Sequence, residues 1–546
     1  METQILKEEP RMVNASQGSL ILSTVEYKGR LLYSKYNPSR AITSLIEKTE
    51  ILKGTLVIIF SPALWYGLKE LIEKLPEDCA IIALEADANL EKLAAEKLKE
   101  TDFTDKVELL NFRNSKLIED KIKKLLSTGK IKRSLRIDFS AGIQFNRELY
   151  DYTALAIQDI IATFWKNRIT LVKFGRLYSK NLISNLKKLS VSYLLEDVKK
   201  TVEKPLLVLG AGEGLDSINW QQTDRKAFFI IAVDAAIQPL LARNIIPDAV
   251  VAMESQQAIE KVYTGTQNKL RQHNTVLFAD LSSRKQIIDY LNLKTVFFAS
   301  QYAEEMFFEN LLHHGLLNNF ITPMGSVGLA AVYIALKLRK NESAEIYTAG
   351  LDFSYSIGAT HAKGTMAHKG RLTASSRLNP AENTDAAFAA GTEFITSKTG
   401  KRIVTTKNLF SYARQFVNLF NGYKNIYDCS STGINLNIPH KTTENIKADS
   451  ILKGIDFPLQ TDSRKENADR FIEEEKKALE SAKSLLAYGT QSDFYNGKNL
   501  AEQIEKLLKP REYLYLHFPD GYSYKADTSF LKRTRAEIDY FLKMLK

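Results

Sequence analysis

The sequence predicts a multidomain α/β protein: a central doubly wound sheet, a smaller N-terminal α/β domain and a helical C-terminal domain. Three observations carry this. Apolar runs of strand length alternate with helical stretches in two separate series, beginning at Thr55 and at Pro205; such alternation marks parallel sheets covered by helices. A glycine turn, Gly210-Ala-Gly-Glu-Gly214, stands between a strand and a helix pattern in the second series. Beyond about residue 440 the pattern is mainly helical, with Asp469 to Leu486 its clearest segment.

The first series runs from Thr55-Leu-Val-Ile-Ile-Phe60 (strand) through Trp65 to Leu75 (helix), Ala80-Ile-Ile-Ala-Leu-Glu85 (strand) and Lys106-Val-Glu-Leu-Leu-Asn111 (strand), after short polar strands and turns in residues 1–50. From Arg147 to about Val198 the pattern is amphipathic helix, with Leu182, Leu186, Leu189 and Tyr193 on one face. The second series begins with Leu206-Leu-Val-Leu209, the glycine turn and a helix start at Leu215 to Trp220. Strands follow at Phe228 to Val233, Ala249 to Glu254, Val276 to Ala279, Thr295 to Ala299 and Ala344 to Ala349; helices are expected after Asp234 and from Gly325-Ser326 to about Leu338. The expected domains are 1–150 (N-terminal α/β), 151–200 (helical bridge), 201–440 (nucleotide-binding) and 441–546 (helical). The two α/β series hint at duplication, with no short-period repeat.

The 546 residues give room for about three domains with buried cores. A composition of 44% hydrophobic and 25% charged residues excludes a largely disordered or fibrous chain. No stretch reaches the ~18 uninterrupted apolar residues of a membrane span, and the nearest, Leu149 to Trp165, carries Asp151 and Asp159, so no span is expected. The start, METQILKEEP, has no basic segment followed by an apolar one, and no secretory signal is expected. Cys79 and Cys429 supply neither a zinc quartet nor a redox pair, which fits a cytoplasmic location. The net charge of +11 favours anionic partners. Lysines alternate with acids at helical spacing, as in Lys116 to Lys124, which is the pattern of a solvated helix face, so a nucleotide is a better candidate than a nucleic acid.

In a doubly wound sheet the ligand sits beyond the carboxyl ends of the strands. Residues just after strands are therefore the candidates. The absent side chains of Gly210, Gly212 and Gly214 would let backbone N–H groups approach a phosphate, or simply permit a tight turn; Glu213 within it would repel an anion. Asp234, 24 residues after Gly210, stands where a carboxylate can read a ribose, and could equally cap the following helix. Glu254 could bind ligand hydroxyls or cap a loop. Gly325 and Ser326 open a helix whose free N–H groups are a second candidate anion site. Asp352 follows Gly350-Leu351, and the loop beyond it carries His361 and His368, two of only seven histidines. A histidine can take a proton from a hydroxyl near neutral pH and a carboxylate can orient it; packing or surface roles are the plain alternatives. No familiar ligand spacing suggests a metal.

These motifs resemble, in order, the motility accessory factor proteins: Leu206-Leu-Val-Leu-Gly-Ala-Gly-Glu-Gly-Leu215, Val233-Asp-Ala-Ala-Ile, Ile246-Pro-Asp248, Gly325-Ser-Val-Gly-Leu-Ala-Ala331, Gly350-Leu-Asp-Phe353 and Thr360-His-Ala362. The resemblance covers about 150 to 440, including Asn167-Arg168, Asn181-Leu182 and Asp428-Cys-Ser-Ser-Thr-Gly433. Gly325 to Phe353 also resembles bacterial sialyltransferases. The turn departs from the family's G-x-G-P-S-L, having Glu213 and Gly214 at the Pro and Ser positions, and Glu254 replaces an Asp.

The resemblance implies a Rossmann-like, sialyltransferase-like core. It also implies a glycosyltransferase moving a nonulosonic acid, of pseudaminic or legionaminic type, from a CMP donor to Ser or Thr of flagellin. CMP would lie across the glycine turn and the Gly325-Ser326 helix start, with Asp234 and Glu254 in the nucleotide site. The sugar would reach Asp352 and His361, with His361 the first choice of base and His368 the second. No essential metal or other cofactor is implied. Two alternatives stand beside this: a hydroxymethylpterin diphosphokinase-like enzyme on a similar fold, which would need Mg²⁺ on carboxylates such as Asp234, Glu254 or Asp352, and a non-catalytic flagellin-binding factor. Residues 1–150, whose Phe60-Ser-Pro-Ala-Leu-Trp65 lacks phosphate-loop glycines, are read as structural or acceptor-binding.

Overall fold

A computed structural model describes residues 9–17, 20–112, 115–302, 306–380, 391–449, 451–459, 462–488 and 498–545. Most of METQILKEEP, read above for a signal, lies outside the described residues. The chain divides into two compact units: Met1–Lys173 with Leu516–Tyr524, and Phe174–Tyr515 with Lys525–Lys546. The division falls inside one helix of 43 residues, Arg147–Leu189.

In the first unit, β1 (Arg11–Gln17), β2 (Leu20–Tyr27) and β3 (Arg30–Leu31) form an antiparallel meander. A parallel sheet of order β6-β5-β4-β7 follows, from β4 (Thr55–Phe60), β5 (Ala80–Glu85), β6 (Val107–Asn111) and β7 (Arg133–Asp138). Every residue of β4 is buried because both faces are covered. Leu56, Ile58 and Phe60 pack into one apolar cluster, and Val57 and Ile59 into another, as the two-residue period of a strand requires. Beyond β4, Tyr33 fills the turn: its hydroxyl donates to the Pro62 carbonyl at 2.9 Å and accepts the Leu64 N–H at 3.1 Å.

The second unit contains an eight-stranded, all-parallel sheet. Its strands are β8 (Tyr193–Leu194), β9 (Leu206–Leu209), β10 (Phe229–Val233), β11 (Ala249–Ala252), β12 (Val276–Asp280), β13 (Thr295–Phe298), β14 (Ile346–Ala349) and β17 (Ile426–Asp428). The order is β17-β14-β9-β10-β11-β12-β13-β8. From β9 the chain adds strands in one direction to β13, then returns to place β14 on the other side of β9. A separate hairpin joins β15 (Thr392–Thr396) and β16 (Arg402–Thr406). The helix Val327–Leu338 is apolar almost all round because it is nearly wholly buried. Towards the C-terminus lie the helices Asp462–Tyr488, Lys498–Leu508 and Thr528–Leu545. Among the described residues no helix is long and apolar enough to cross a membrane.

Three local expectations are corrected. The helix expected to run to about Val198 ends at Leu189, and Tyr193 lies in β8 rather than on its face. The stretch after the glycine turn is a short 3-10 helix, Glu213–Ser217, rather than the α-helix expected from Leu215 to Trp220; Gly212 at its start offers no capping side chain. The helix after β10 likewise begins as a 3-10 turn, Asp234–Ala236, before Ile237–Ala242.

Candidate functional site

The carboxyl ends of β9 and β14 meet through their turns. Gly210 N–H donates to Ala349 O at 2.8 Å and Gly212 N–H to Gly350 O at 2.9 Å. Gly214 N–H donates to Oδ2 of Asp352 at 2.8 Å. A side chain at Gly210 would collide with the Gly350 carbonyl, at Gly212 with the Asp352 carboxylate, and at Gly214 with both Asp352 and Ser430. Packing on Gly350-Leu351-Asp352 therefore already demands all three glycines, and these three N–H groups are already bonded within the protein.

Asp352 is buried, and both of its oxygens are engaged: Thr432 Oγ1 donates to Oδ1 at 3.1 Å. Burial raises its pKa to about 6, against the opposing pull of those hydrogen bonds and of Lys398. The Ser430–Gly433 loop after β17 covers it, with Ser430 Oγ accepting from Gly350 N–H at 3.1 Å. Gly433, at φ +101°, has no room for a side chain against the Asp352 backbone.

The glycine turn also holds the histidine loop. Ser356 N–H donates to Glu213 Oε2 at 2.9 Å, Ala362 N–H to Ala211 O at 2.9 Å, and Lys363 N–H to Asp216 Oδ2 at 3.0 Å. Glu213, the acid within the glycine turn, thus has a partner of its own. Three bonds in an eight-residue stretch fix the loop that carries His361.

His361 is half-buried, and its Nδ1 lies 3.2 Å from Thr360 Oγ1. Arg371, on the helix Met366–Ala374, donates through Nη1 to the same Thr360 oxygen at 2.9 Å. Burial first, and the Arg371 charge second, hold His361 below the usual histidine range. At pH 7 it is a neutral imidazole, the form a base requires. His368 is lowered by the same two causes, and its Nδ1 accepts Gly364 N–H at 3.3 Å. Among the described residues no hydrogen bond joins Asp352 to His361; Thr360 occupies that place.

Asp234 follows β10 and is buried, with its carboxylate accepting Ala235 N–H at 2.7 Å. Desolvation raises its pKa to about 7, and the Glu254 charge adds to this. Glu254 stands two residues past β11, accepts Gln256 N–H at 2.9 Å, and shares a crevice with Asp234, Tyr263 and Arg284. Ser326 caps the helix Val327–Leu338 by accepting Gly328 N–H at 3.2 Å, and Gly325 packs on the Tyr412 ring. A side chain at Gly328 would meet Leu351, as one at Gly210 would, so that helix start, the glycine turn and the β14 turn converge on one residue.

Sequence reasoning missed Thr360 and Arg371 as partners of His361, Ser430 and Thr432 as the cover of Asp352, and the buried Asp280 at the end of β12, which accepts Ser282 and Ser300 N–H groups at 2.8 and 2.7 Å. Asp280 ends a buried strand as Asp234 and Asp352 follow theirs, and that position alone was a usable signal. Among the described residues no group of three His, Cys, Asp or Glu side chains is placed to hold a metal ion.

Fold and strand-end site together define a multidomain α/β protein with polar groups gathered beyond a parallel sheet. Its sequence is 31% identical to a protein of Treponema pallidum (strain Nichols) described as uncharacterized, over 98% of this chain and 95% of that one. The chain belongs to one family with that protein. Residues 180–358 match the family model described as 6-hydroxymethylpterin diphosphokinase MptE-like. The fold is similar to that of the MAf glycosyltransferase from Magnetospirillum magneticum AMB-1, with a TM-score of 0.54 and 12% identity over 99% of this chain and 92% of that one.

Proposed function

We propose that the protein is a glycosyltransferase, working in the cytoplasm, that moves a nonulosonic acid from a CMP donor to Ser or Thr hydroxyls of flagellin. The observation that carries this reading is the tethering of the His361 loop to the glycine turn by Glu213, Ala211 and Asp216. It sets an uncharged imidazole beside the strand ends where a nucleotide-sugar would lie. The fold shared with an MAf glycosyltransferase over nearly the whole chain supports it.

In the proposed reaction the acceptor oxygen bonds to the anomeric carbon of the donor, the carbon–oxygen bond to the CMP phosphate breaks, and His361 takes the hydroxyl proton. The departing phosphate needs stabilising donors, and the N-terminus of the helix Val327–Leu338 is one source. With Asp352 held by Gly214 and Thr432, its part is to fix the two turns, while Thr360 orients His361. The test is transfer from CMP-pseudaminic or CMP-legionaminic acid to purified flagellin, read by intact mass. No mass gain, with no CMP binding by calorimetry, would overturn the reading.

The family-model match over 180–358 favours a second reading, pyrophosphate transfer from ATP to a pterin alcohol. That chemistry would need Mg²⁺, for which Asp234 and Glu254, lining one crevice, are the candidate carboxylates. Transfer to flagellin that survives a chelator supports the first reading. ATP binding that requires Mg²⁺, without CMP binding, supports the second.

A further inference from the structure

Arg371 is a half-buried cation on the helix Met366–Ala374. Among the described residues no carboxylate forms an ion pair with it; its Nη1 is spent on the neutral Thr360 hydroxyl, and its Nε is buried with no acceptor. Leaving a guanidinium so poorly answered costs stability unless something else compensates. The surrounding groups deepen the imbalance. Lys363 and Lys369 are on the same loop and helix, and the two histidines beside it, His361 on the shared Thr360 oxygen and His368 one helical turn before it, bring no negative charge. Asp216, the acid that holds this loop, is occupied by Arg243 and the Lys363 N–H.

We propose that Arg371 is the oxyanion-binding residue of this site, receiving a negatively charged group of the donor beside His361. The inference rests on the transferase reading for its natural ligand, which offers two oxyanions: the phosphate of the nucleotide and the carboxylate of the sugar acid. Both match the guanidinium, whose fork suits two oxygens at once. Thr360 then has two roles. Its oxygen accepts from Arg371 and, with His361 in the tautomer protonated at Nδ1, from the imidazole as well, which leaves Nε2 free to take a proton. One hydroxyl would hold the donor-binding cation and the base in register. An anion at Arg371 also offsets the cation that depresses both histidines, so ligand binding should raise the proton affinity of the base.

The test follows the His361 and His368 imidazole signals by NMR in the full-length protein, titrated with CMP, N-acetylneuraminate and inorganic pyrophosphate. The variants are Arg371→Gln and Arg371→Lys, with melting temperatures as the check on folding. In the wild type at least one probe should raise the pH midpoint of His361, and CMP against N-acetylneuraminate separates phosphate from carboxylate as the source. Arg371→Gln should raise that midpoint without ligand, abolish its further shift, and weaken the responding probe at least tenfold; Arg371→Lys should keep part of each effect. If pyrophosphate or N-acetylneuraminate moves the histidines through Arg371 while CMP binds nowhere, the oxyanion site stands and the CMP reading falls. If CMP binds wild type and Arg371→Gln equally, or no probe moves either histidine, the oxyanion site falls.

Discussion

The Gly214 N–H donates to the Asp352 carboxylate at 2.8 Å across 138 residues of chain. This bond ties the turn after β9 to the turn after β14, the two neighbouring strands between which the order of the sheet reverses. The carboxylate is a structural acceptor first.

That placement predicts opposite effects for two glycines. Gly214→Ala should cost about 1–3 kcal/mol, the usual range for overpacking, because its methyl group would push on Asp352 and Ser430. Gly370→Ala, in an exposed helix with open space around it, should stabilise by roughly 0.5–1 kcal/mol. Urea denaturation of the two variants checks both signs.

Asp352→Asn should flatten a pH dependence. The folded carboxyl keeps its proton up to about pH 6, whereas an unfolded one loses it near ~4. Between these values the folded state holds the extra proton, so wild-type stability falls as pH rises through that window. In the variant this part of the fall disappears. Denaturation midpoints at pH 4.5, 5.5 and 6.5 (chosen conditions, about one pH unit apart) read the difference in slope.

Glu213→Gln keeps an acceptor oxygen for Ser356 N–H and should transfer as well as the wild type. Glu213→Ala removes it. Hydrogen exchange at Ser356 should then accelerate by roughly fivefold, the loss of a bond worth about 1 kcal/mol, and transfer should fall with it. Unchanged exchange in the alanine variant would mean that the loop is held elsewhere.

His361→Ala should leave CMP binding and melting temperature in place while cutting transfer by ~10²–10⁴-fold, the range for a lost general base. His368→Ala should cost less. Because His361 is held below the usual histidine range in the free protein, the acid limb of kcat/KM should lie below pH ~6.5. Full transfer by the His361 variant removes it from the mechanism.

The second sheet was legible where strands are buried on both faces. Leu206–Leu209, Phe229–Val233 and Ala249–Ala252 are apolar from end to end. β7 was not, because RSLRID is an edge strand with its first residue and Asp138 exposed. β8 and β17 have two and three residues, too few for any period to show. Within the site, strand-end position pointed to Asp234, Glu254 and Asp352. It could not show that Asp352 would be used by Gly214 and Thr432, since those contacts depend on which strands become neighbours. Arg371 belongs to no motif; what marks it is a buried Nε with no acceptor among the described residues.

Asn181 and Asn185, on the helix Arg147–Leu189, donate to the carbonyls of Ser255, Ser282, Leu281 and Ser283 at 2.9–3.2 Å. Two side-chain amides thereby satisfy four backbone acceptors in the loops after β11 and β12. A protein cut to begin at Pro205, where the strand pattern starts, would strand those acceptors, each costing about 1–3 kcal/mol if it stayed dry. The smallest self-sufficient piece of the second unit thus begins upstream of Asn181, and the helix is as much a part of the sheet's carboxyl edge as the strands are.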